Sequence, residues 1–281
     1  MVERRGSAAL VTHLALVLGV LIVAFPIYVT FIASTHSLSE IFAAPMSLVP
    51  GSSMGENYRI ALFQGEGSIG APVWRMMMLS LAMALIIAIG KIAISIVSAY
   101  AIVYFSFPLR MTFFWMIFIT LMLPVEVRIL PTYKVVADLG MLDTLGGLTI
   151  PLIASATATF LFRQFFLTVP DELAEAARID GAGPLRFFVD IMLPLSRTNI
   201  AALFVILFIF GWNQYLWPLL VTTSQEKDTI LIGITRMLSV SEGNIEWQIV
   251  MATTMLAMIP PVAVVILMQR WFVKGLVETE K

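Results

Sequence analysis

Six stretches of about 20 mostly apolar residues recur along the 281-residue chain, each long enough to cross a bilayer's hydrocarbon core as an α-helix. They run over about 11–33, 75–104, 112–131, 147–166, 199–220 and 248–271. They are rich in Leu, Ala, Met and Phe and lack the alternation, about ten residues per strand, of a membrane barrel. The pattern therefore predicts helices, which satisfy their own backbone in lipid. Composition agrees: 59% of residues are apolar and 12% are charged, against about 25% charged in a soluble domain. The expected fold class is all-α, a polytopic membrane protein whose six transmembrane helices form one domain over residues 1–281.

Arg4 and Arg5 precede an apolar run from Leu14 to Ala33. A signal peptide has an apolar core of only about 7–15 residues, so this run is expected to be a retained first span. Six spans put both termini on one side. The termini, the 104–111 loop and residues 163–198 hold ten Lys and Arg; the other face holds five. The positive-inside rule places the richer face, and with it both termini, in the cytoplasm. Trp74, Trp217, Trp247 and Trp271 fall near expected span ends and read as an interfacial belt, with Trp115 at the cytoplasmic end of the third span and Trp212 deeper.

Several function classes fall away. The net charge of −1 gives no ground for nucleic-acid binding, and the absence of cysteine excludes disulfides and thiolate chemistry. No phosphate loop of the form G-x-x-x-x-G-K-[ST] is present: Gly90-Lys91 lacks both the upstream glycine and the following hydroxyl residue. No G-x-S-x-G is present, and His13 and His36 have no carboxylates at metal-ligand spacing. The reading is a non-catalytic chain that binds no cofactor or metal of its own. Self-contained secondary transporters carry internal repeats, and none is visible.

The long segment between the fourth and fifth spans, Leu167–Thr198, has its own local logic. Thr168 is placed to cap a short helix, and Pro170 suits its first turn. Asp171 and Glu172 favour the positive end of the helix dipole. Gly181 supplies a left-handed stop. Leu173, Ala176 and Ala177 are expected on one small apolar strip, suited either to a groove on another protein or to the chain's own bundle. Glu175-Ala176-Ala177, then Gly181, then Ile191-x-Leu193-Pro194 resembles the EAA loop of bacterial ABC importer permeases at every defining position. That resemblance implies a coupling helix that docks on an ATPase subunit, with Glu175, Ala176 and Ala177 docking, Gly181 turning, and Ile191, Leu193 and Pro194 completing the loop.

The likeness continues through Glu56-Asn57-Tyr58, Leu123-Pro124, Leu130-Pro131, residues 140–144 and Trp212-Asn213, which resemble the carbohydrate-importer branch. Leu121–Thr132, Ala154–Phe166 and Phe210–Leu220 look like its glycerol-3-phosphate-importing members. The resemblance implies a multi-pass bacterial inner-membrane subunit that pairs with a homologous second permease. It further implies a dimeric ATPase that uses the ATP, a periplasmic substrate-binding protein, and sn-glycerol 3-phosphate or a related glycerophosphodiester as cargo. An uncharged sugar or polyol is the alternative cargo.

Lys91, Glu126 and Arg128 fall inside expected spans. A charge at the bilayer centre costs about 2.5–3.5 kcal/mol on insertion scales, so such groups face protein or a watery cavity. Two roles fit. Either Glu126 pairs with Lys91 or Arg128 to hold helices together, or a cation stays available on the path of an anionic substrate. Pro124 and Pro131 bracket these charges and suggest a locally broken helix. Asn213 is a further candidate for the path, and Pro260-Pro261 predict a kink in the last span.

Overall fold

The computed structural model describes residues 6–64, 70–120, 123, 125–239 and 245–277; side chains at 6–8, 125–126 and 272–277 lie outside that description. Among the described residues there is no strand. In chain order the helices are α1 (Gly6–Thr35), α2 (Leu38–Ile41), α3 (Met54–Phe63), α4 (Val73–Tyr104), α5 (Arg110–Ile119), α6 (Val125–Asp138) and α7 (Leu145–Thr149). They continue with α8 (Ala156–Phe166), α9 (Asp171–Ile179), α10 (Pro184–Phe187), α11 (Leu193–Leu195), α12 (Arg197–Trp212), α13 (Leu216–Val221), α14 (Ile230–Leu238) and α15 (Trp247–Val277). The chain forms two compact units, Met1–Arg75 with Gly233–Ile259, and Met76–Ile232 with Pro260–Lys281.

Among the described residues three helices are long and apolar enough to cross a membrane by themselves: Ala9–Thr35 of α1, α4, and Trp247–Trp271 of α15. The count reaches five if each of two bent helix pairs is one span. The other three expected spans are broken, and a break was expected only in 112–131. Residues 147–166 divide into a helical piece ending at Leu152 and α8, bent by 45°. Pro151 lacks the N–H that would bond the Gly147 carbonyl, and there α7 gives way to a single tighter turn, Ile150–Leu152. Ser155 then starts a new helix, its hydroxyl accepting the Ala158 N–H at 3.3 Å. Residues 199–220 divide after Trp212. Pro218, the third residue of α13, cannot donate back to residue 214, and the gap 213–215 results. In the 112–131 stretch α5 ends at Ile119 and α6 begins at Val125, with Pro131 inside α6; Pro124 lies outside the described residues. Pro260 and Pro261 lie within the continuous α15.

In the first unit, the end of α1 is tied to the following segment by buried polar groups. The Asn57 amide donates to the carbonyls of Ser34 and His36, both at 2.9 Å. Asn57, singled out in the sequence only by resemblance, thus satisfies carbonyls that a helix end leaves without partners. His36 is not isolated from carboxylates, as its sequence neighbourhood suggested. Glu40 lies one turn on, 3.3 Å from Nδ1, while Nε2 contacts the Val49 carbonyl at 2.9 Å. The Ser37 N–H, first among several donors, holds the Glu40 carboxyl below its usual range.

In the second unit α4 is the packing axis. Its best apolar window is 44% buried, against 6% for α1. Lipid supplies no hydrophobic drive between helices, so close approach depends on small residues. A Cβ added at Gly211 would sit 2.9 Å from the Ala84 Cα, and one at Gly90 would sit 2.8 Å from Ile153. Beside these contacts Met83, Ile87, Ile129, Val136, Leu148, Trp217 and Val221 form one buried cluster. Trp217 therefore departs from the interfacial belt expected of it. It is 3% exposed, and its indole N–H donates to the Gly147 carbonyl at 3.1 Å. The break before α13 turns it inward. Trp74, Trp115 and Trp271 remain exposed, and Trp212 is buried.

Candidate functional site

The segment from Leu167 to Thr198 folds almost entirely into short helices. Pro170 is the N-cap of α9, and Thr168 is not: its hydroxyl donates to the Phe165 carbonyl at 2.7 Å, closing α8 instead. Asp171 and Glu172 occupy the first turn and Arg178 the last, each favoured by the helix dipole. The helix stops at Gly181, which has φ +74°. The Gly181 N–H bonds the Arg178 carbonyl at 3.0 Å, and the Ala182 N–H bonds the Ala177 carbonyl at 2.8 Å. This pair of bonds is the Schellman closure, which calls for a left-handed residue at that point. A Cβ at Gly181 would meet nothing within 4 Å. The constraint on this position is therefore backbone conformation rather than space.

The expected strip of Leu173, Ala176 and Ala177 is divided. Ala177 is 5% exposed and turns onto the chain's own aromatic residues, whereas Leu173 and Ala176 stay exposed with Glu175. Successive residues on a helix are about 100° apart, so Ala176 and Ala177 need not share a face. Two outward apolar groups escaped the sequence reading. Ile179 is 86% exposed and Leu185 is 75% exposed. Both follow from local pattern, an isoleucine just before the stop and a leucine after Pro184. Beyond α10, Phe188–Met192 form a π-turn and Leu193–Leu195 a last short helix, carrying Ile191, Leu193 and Pro194. The chain then bends by 70° into α12. Ser196 sits at the bend, fully buried, its hydroxyl donating to the Met192 carbonyl at 2.6 Å.

The charges expected within spans divide as well. Lys91 is 8% exposed, and its Nζ lies 4.1 Å from the ring centroid of Phe210 on α12. A desolvated cation over an aromatic face is worth about 2 kcal/mol. Nothing in the sequence links positions 91 and 210; only the close packing of α4 on α12 brings them together. Arg128 is exposed on α6, near the buried Ile129, and close enough for its charge to act on Lys91. Asn213, the C-cap of α12, is also exposed. The Glu126 side chain lies outside the described residues. Among the described residues no carboxylate is within ion-pair distance of Lys91 or Arg128.

A third cluster joins two loops, the one between α6 and α7 and the one between α13 and α14. Asp143 has φ +55°. Its N–H donates to the Val221 carbonyl at 3.0 Å. Its carboxylate accepts the Thr223 N–H at 2.7 Å, the Ser224 N–H at 3.2 Å, and the hydroxyls of both residues. The Thr223 hydroxyl and N–H are the main causes holding the Asp143 carboxyl below its usual range. Gly147 is required nearby, because a Cβ there would collide with the Met141 carbonyl oxygen.

Residues 91–278 match the family described as the binding-protein-dependent transport system inner membrane component. The chain belongs to that family. The permease is accordingly a multi-pass inner-membrane protein. It is 64% identical over 282 residues to a protein of Brucella melitensis, and equally to one of Agrobacterium fabrum, with all of each chain covered. It is 58% identical over 281 residues, again end to end, to one of Escherichia coli. All three relatives are named sn-glycerol-3-phosphate transport system permease protein UgpE. The permease also shares its fold with a chain in the crystal structure of a bacterial ABC transporter involved in the import of the acidic polysaccharide alginate. The TM-score is 0.81 at 20% identity, covering 97% of the permease and 99% of that chain.

Proposed function

We propose that this permease is the transmembrane subunit of an ATP-binding-cassette importer that moves sn-glycerol 3-phosphate, or a related glycerophosphodiester, across the inner membrane. The observation that carries the reading is end-to-end identity of 58–64% to relatives named for that transport system. The chain works as one transmembrane domain with six spans, counting the broken segments 112–131, 147–166 and 199–220 as one span each, and both termini are cytoplasmic. It pairs with a homologous second permease. A periplasmic binding protein delivers the substrate, and a dimeric ATPase supplies the energy, so this chain needs no cofactor of its own.

Segment 167–198 is the docking element for the ATPase. Glu175, Ala176, Leu173, Ile179 and Leu185 form its outward surface, while Ala177, Gly181, Ile191, Leu193 and Pro194 fix its shape. A mixed surface of this kind, apolar with one carboxylate, suits a cleft on a soluble partner. ATP binding then shifts the permease pair between inward-facing and outward-facing states by favouring one of them.

Lys91, Arg128 and Asn213 mark the substrate path, with Glu126 beside Arg128 in sequence. A phosphate ester entering a protein-lined pore loses hydration and gains from a fixed guanidinium, which offers two parallel hydrogen bonds. The exposed position of Arg128 supports this role, and Lys91 under Phe210 adds positive potential close by. The test is uptake of radiolabelled glycerol 3-phosphate by the complete complex in proteoliposomes. Wild-type complex should take it up in an ATP-dependent way. Arg128→Gln with Glu126→Gln removes both charges together and so strands neither. That double variant should assemble normally while uptake falls at least tenfold. Near-normal uptake at matched complex levels would remove Arg128 from the path. Failure of wild-type uptake alongside transport of a neutral polyol would replace the substrate.

A further inference from the structure

The cytoplasmic segment is fastened to α4 unevenly. The Tyr100 hydroxyl donates to the Pro184 carbonyl at 2.8 Å, across 84 residues of sequence. The Tyr100 ring also lies among Tyr104, Phe105, Phe166, Phe187 and Phe188, with centroid separations from 4.8 to 6.5 Å. Tyr104 shares the rings of Phe166 and Phe187, but among the described residues its hydroxyl meets only the Met192 sulfur, at 3.6 Å. The α10 end of the segment is therefore held by a directional bond. The α9 side is different. Ala174, Ala177, Arg178 and Ala182 border a cavity of about 270 Å³ whose other walls include Tyr100 and Tyr104 of α4 and the pinned Pro184 and Phe187 of α10. The side chains facing this space from α9 are mostly small, and aromatic faces tolerate sliding between offset and edge-on arrangements.

We infer that Tyr100 is a positioning residue for energy coupling: it pins the Pro184 end of the segment to α4, leaves α9 free to rock over the cavity, and so passes movement of α9 into α4. The helix that receives this movement is suited to carry it. α4 runs 32 residues without a proline. Lys91 lies nine residues from Tyr100 on the same helix, about 14 Å along its axis. A shift imposed at Tyr100 thus reaches Lys91 and its contact with Phe210 without crossing a loop. Gly90 and Gly211, packed tightly on Ile153 and Ala84, oblige the neighbouring helices to follow.

This inference rests on segment 167–198 being the ATPase-docking element, and the experiment separates the two. Tyr100→Phe keeps the ring and removes the hydroxyl; Tyr104→Phe is the matched change without a strong bond to lose. Reconstituted complexes at equal amounts are scored for ATP hydrolysis and for substrate moved per ATP. Tyr100→Phe should hydrolyse ATP within about twofold of wild type while substrate moved per ATP falls at least fivefold. Tyr104→Phe should leave both within about twofold. Wild-type coupling in Tyr100→Phe overturns the inference. So does an equal loss in both variants, which would make the rings and not the hydroxyl responsible, and so does failure of Tyr100→Phe to assemble, which would make its role structural. Gly181→Val serves as the reference for the segment itself. If it uncouples transport while Tyr100→Phe does not, only the role of Tyr100 fails. If neither does, the docking assignment fails with it.

Discussion

The Asp143 junction and the Tyr100 cluster each join parts of the chain about 80 residues apart in sequence, and they do so with different chemistry. At Asp143 one carboxylate gathers two backbone N–H groups and two hydroxyls. Charge-assisted bonds of this kind are short and directional, so the two loops can move only together. At Tyr100 one hydroxyl bond is surrounded by rings at varied tilts, from 36° to 87°. Ring contacts are individually weak and survive small displacements. One junction is built to hold and the other to yield along defined directions. In the role proposed above, the first would be a loop platform that keeps its shape and the second the attachment of a segment that moves without detaching.

The largest expected effect lies in the yielding region. If α9 must end in a left-handed turn, Gly181→Val forces a β-branched residue to φ +74°, where L-residues lose about 1–2 kcal/mol and β-branched ones fare worst. Because a Cβ there meets no neighbour, the protein should still insert and accumulate. Transport should fall more than tenfold and ATPase recruitment should weaken. Asn enters the left-handed region readily, so Gly181→Asn should keep at least half of wild-type transport. Equal loss in both variants would mean that the glycine answers to space in a partner and not to the turn.

The two regions also differ in how far they could be read from sequence. The α9 element is local: Pro170, Asp171, Glu172 and Gly181 lie within one short stretch, and each acts on its own backbone. The acidic first turn and the stop were legible for that reason; the cap was not, since Thr168 closes α8 and Pro170 takes its place. Which face points outward was not, because burial of Ala177 depends on Tyr100 and Tyr104, far away in sequence. Of the Asp143 junction only the 140–144 stretch stood out, by resemblance; the junction itself did not, since Thr223 stands 80 residues on and no periodicity connects the two. The membrane helices show the same division. Apolar length revealed the helices of the outer stretches, while the breaks at 153–155 and 213–215 were passed over although Pro151 and Pro218 stand beside them. Apolar content is averaged over a span, but a break is decided by single groups: a missing N–H at each of these two, with a capping hydroxyl at Ser155 as well.

A smaller effect is expected from Asp143→Asn. Asparagine keeps the shape and one acceptor oxygen but turns its NH₂ toward groups that donate. Hydrogen bonds to a charged group contribute about 1.5–3 kcal/mol. Solvent exposure of this site reduces that to about 1 kcal/mol, or about 2–4 °C in the thermal midpoint of a chain of this size. Uptake should change less than in Gly181→Val. Thr223→Val removes one donor from the other side, and with Asp143→Asn it should cost less than the sum of the single losses, because both disrupt one cluster. Strict additivity would show that the two loops are held elsewhere.

The smallest effect is the pH dependence of the same junction, and its sign follows from the direction of the shift. The Asp143 carboxyl is held below its usual range because its ionised form accepts the Thr223 and Ser224 donors. A group with a depressed folded pKa contributes stability that is fully present above its unfolded value, about 3.9. That contribution is lost only as pH falls through the lower folded value. The difference in thermal midpoint between wild type and Asp143→Asn should therefore be constant from about pH 8 to pH 5 and shrink below about pH 4. Glu40 is shifted the same way by the Ser37 N–H, and its own acid-range loss is present in both proteins, so it cancels from the difference. A gap that closed near neutral pH would assign the effect to a group other than Asp143, and the loops would then owe their alignment to the Asp143 N–H bond with Val221, which does not titrate.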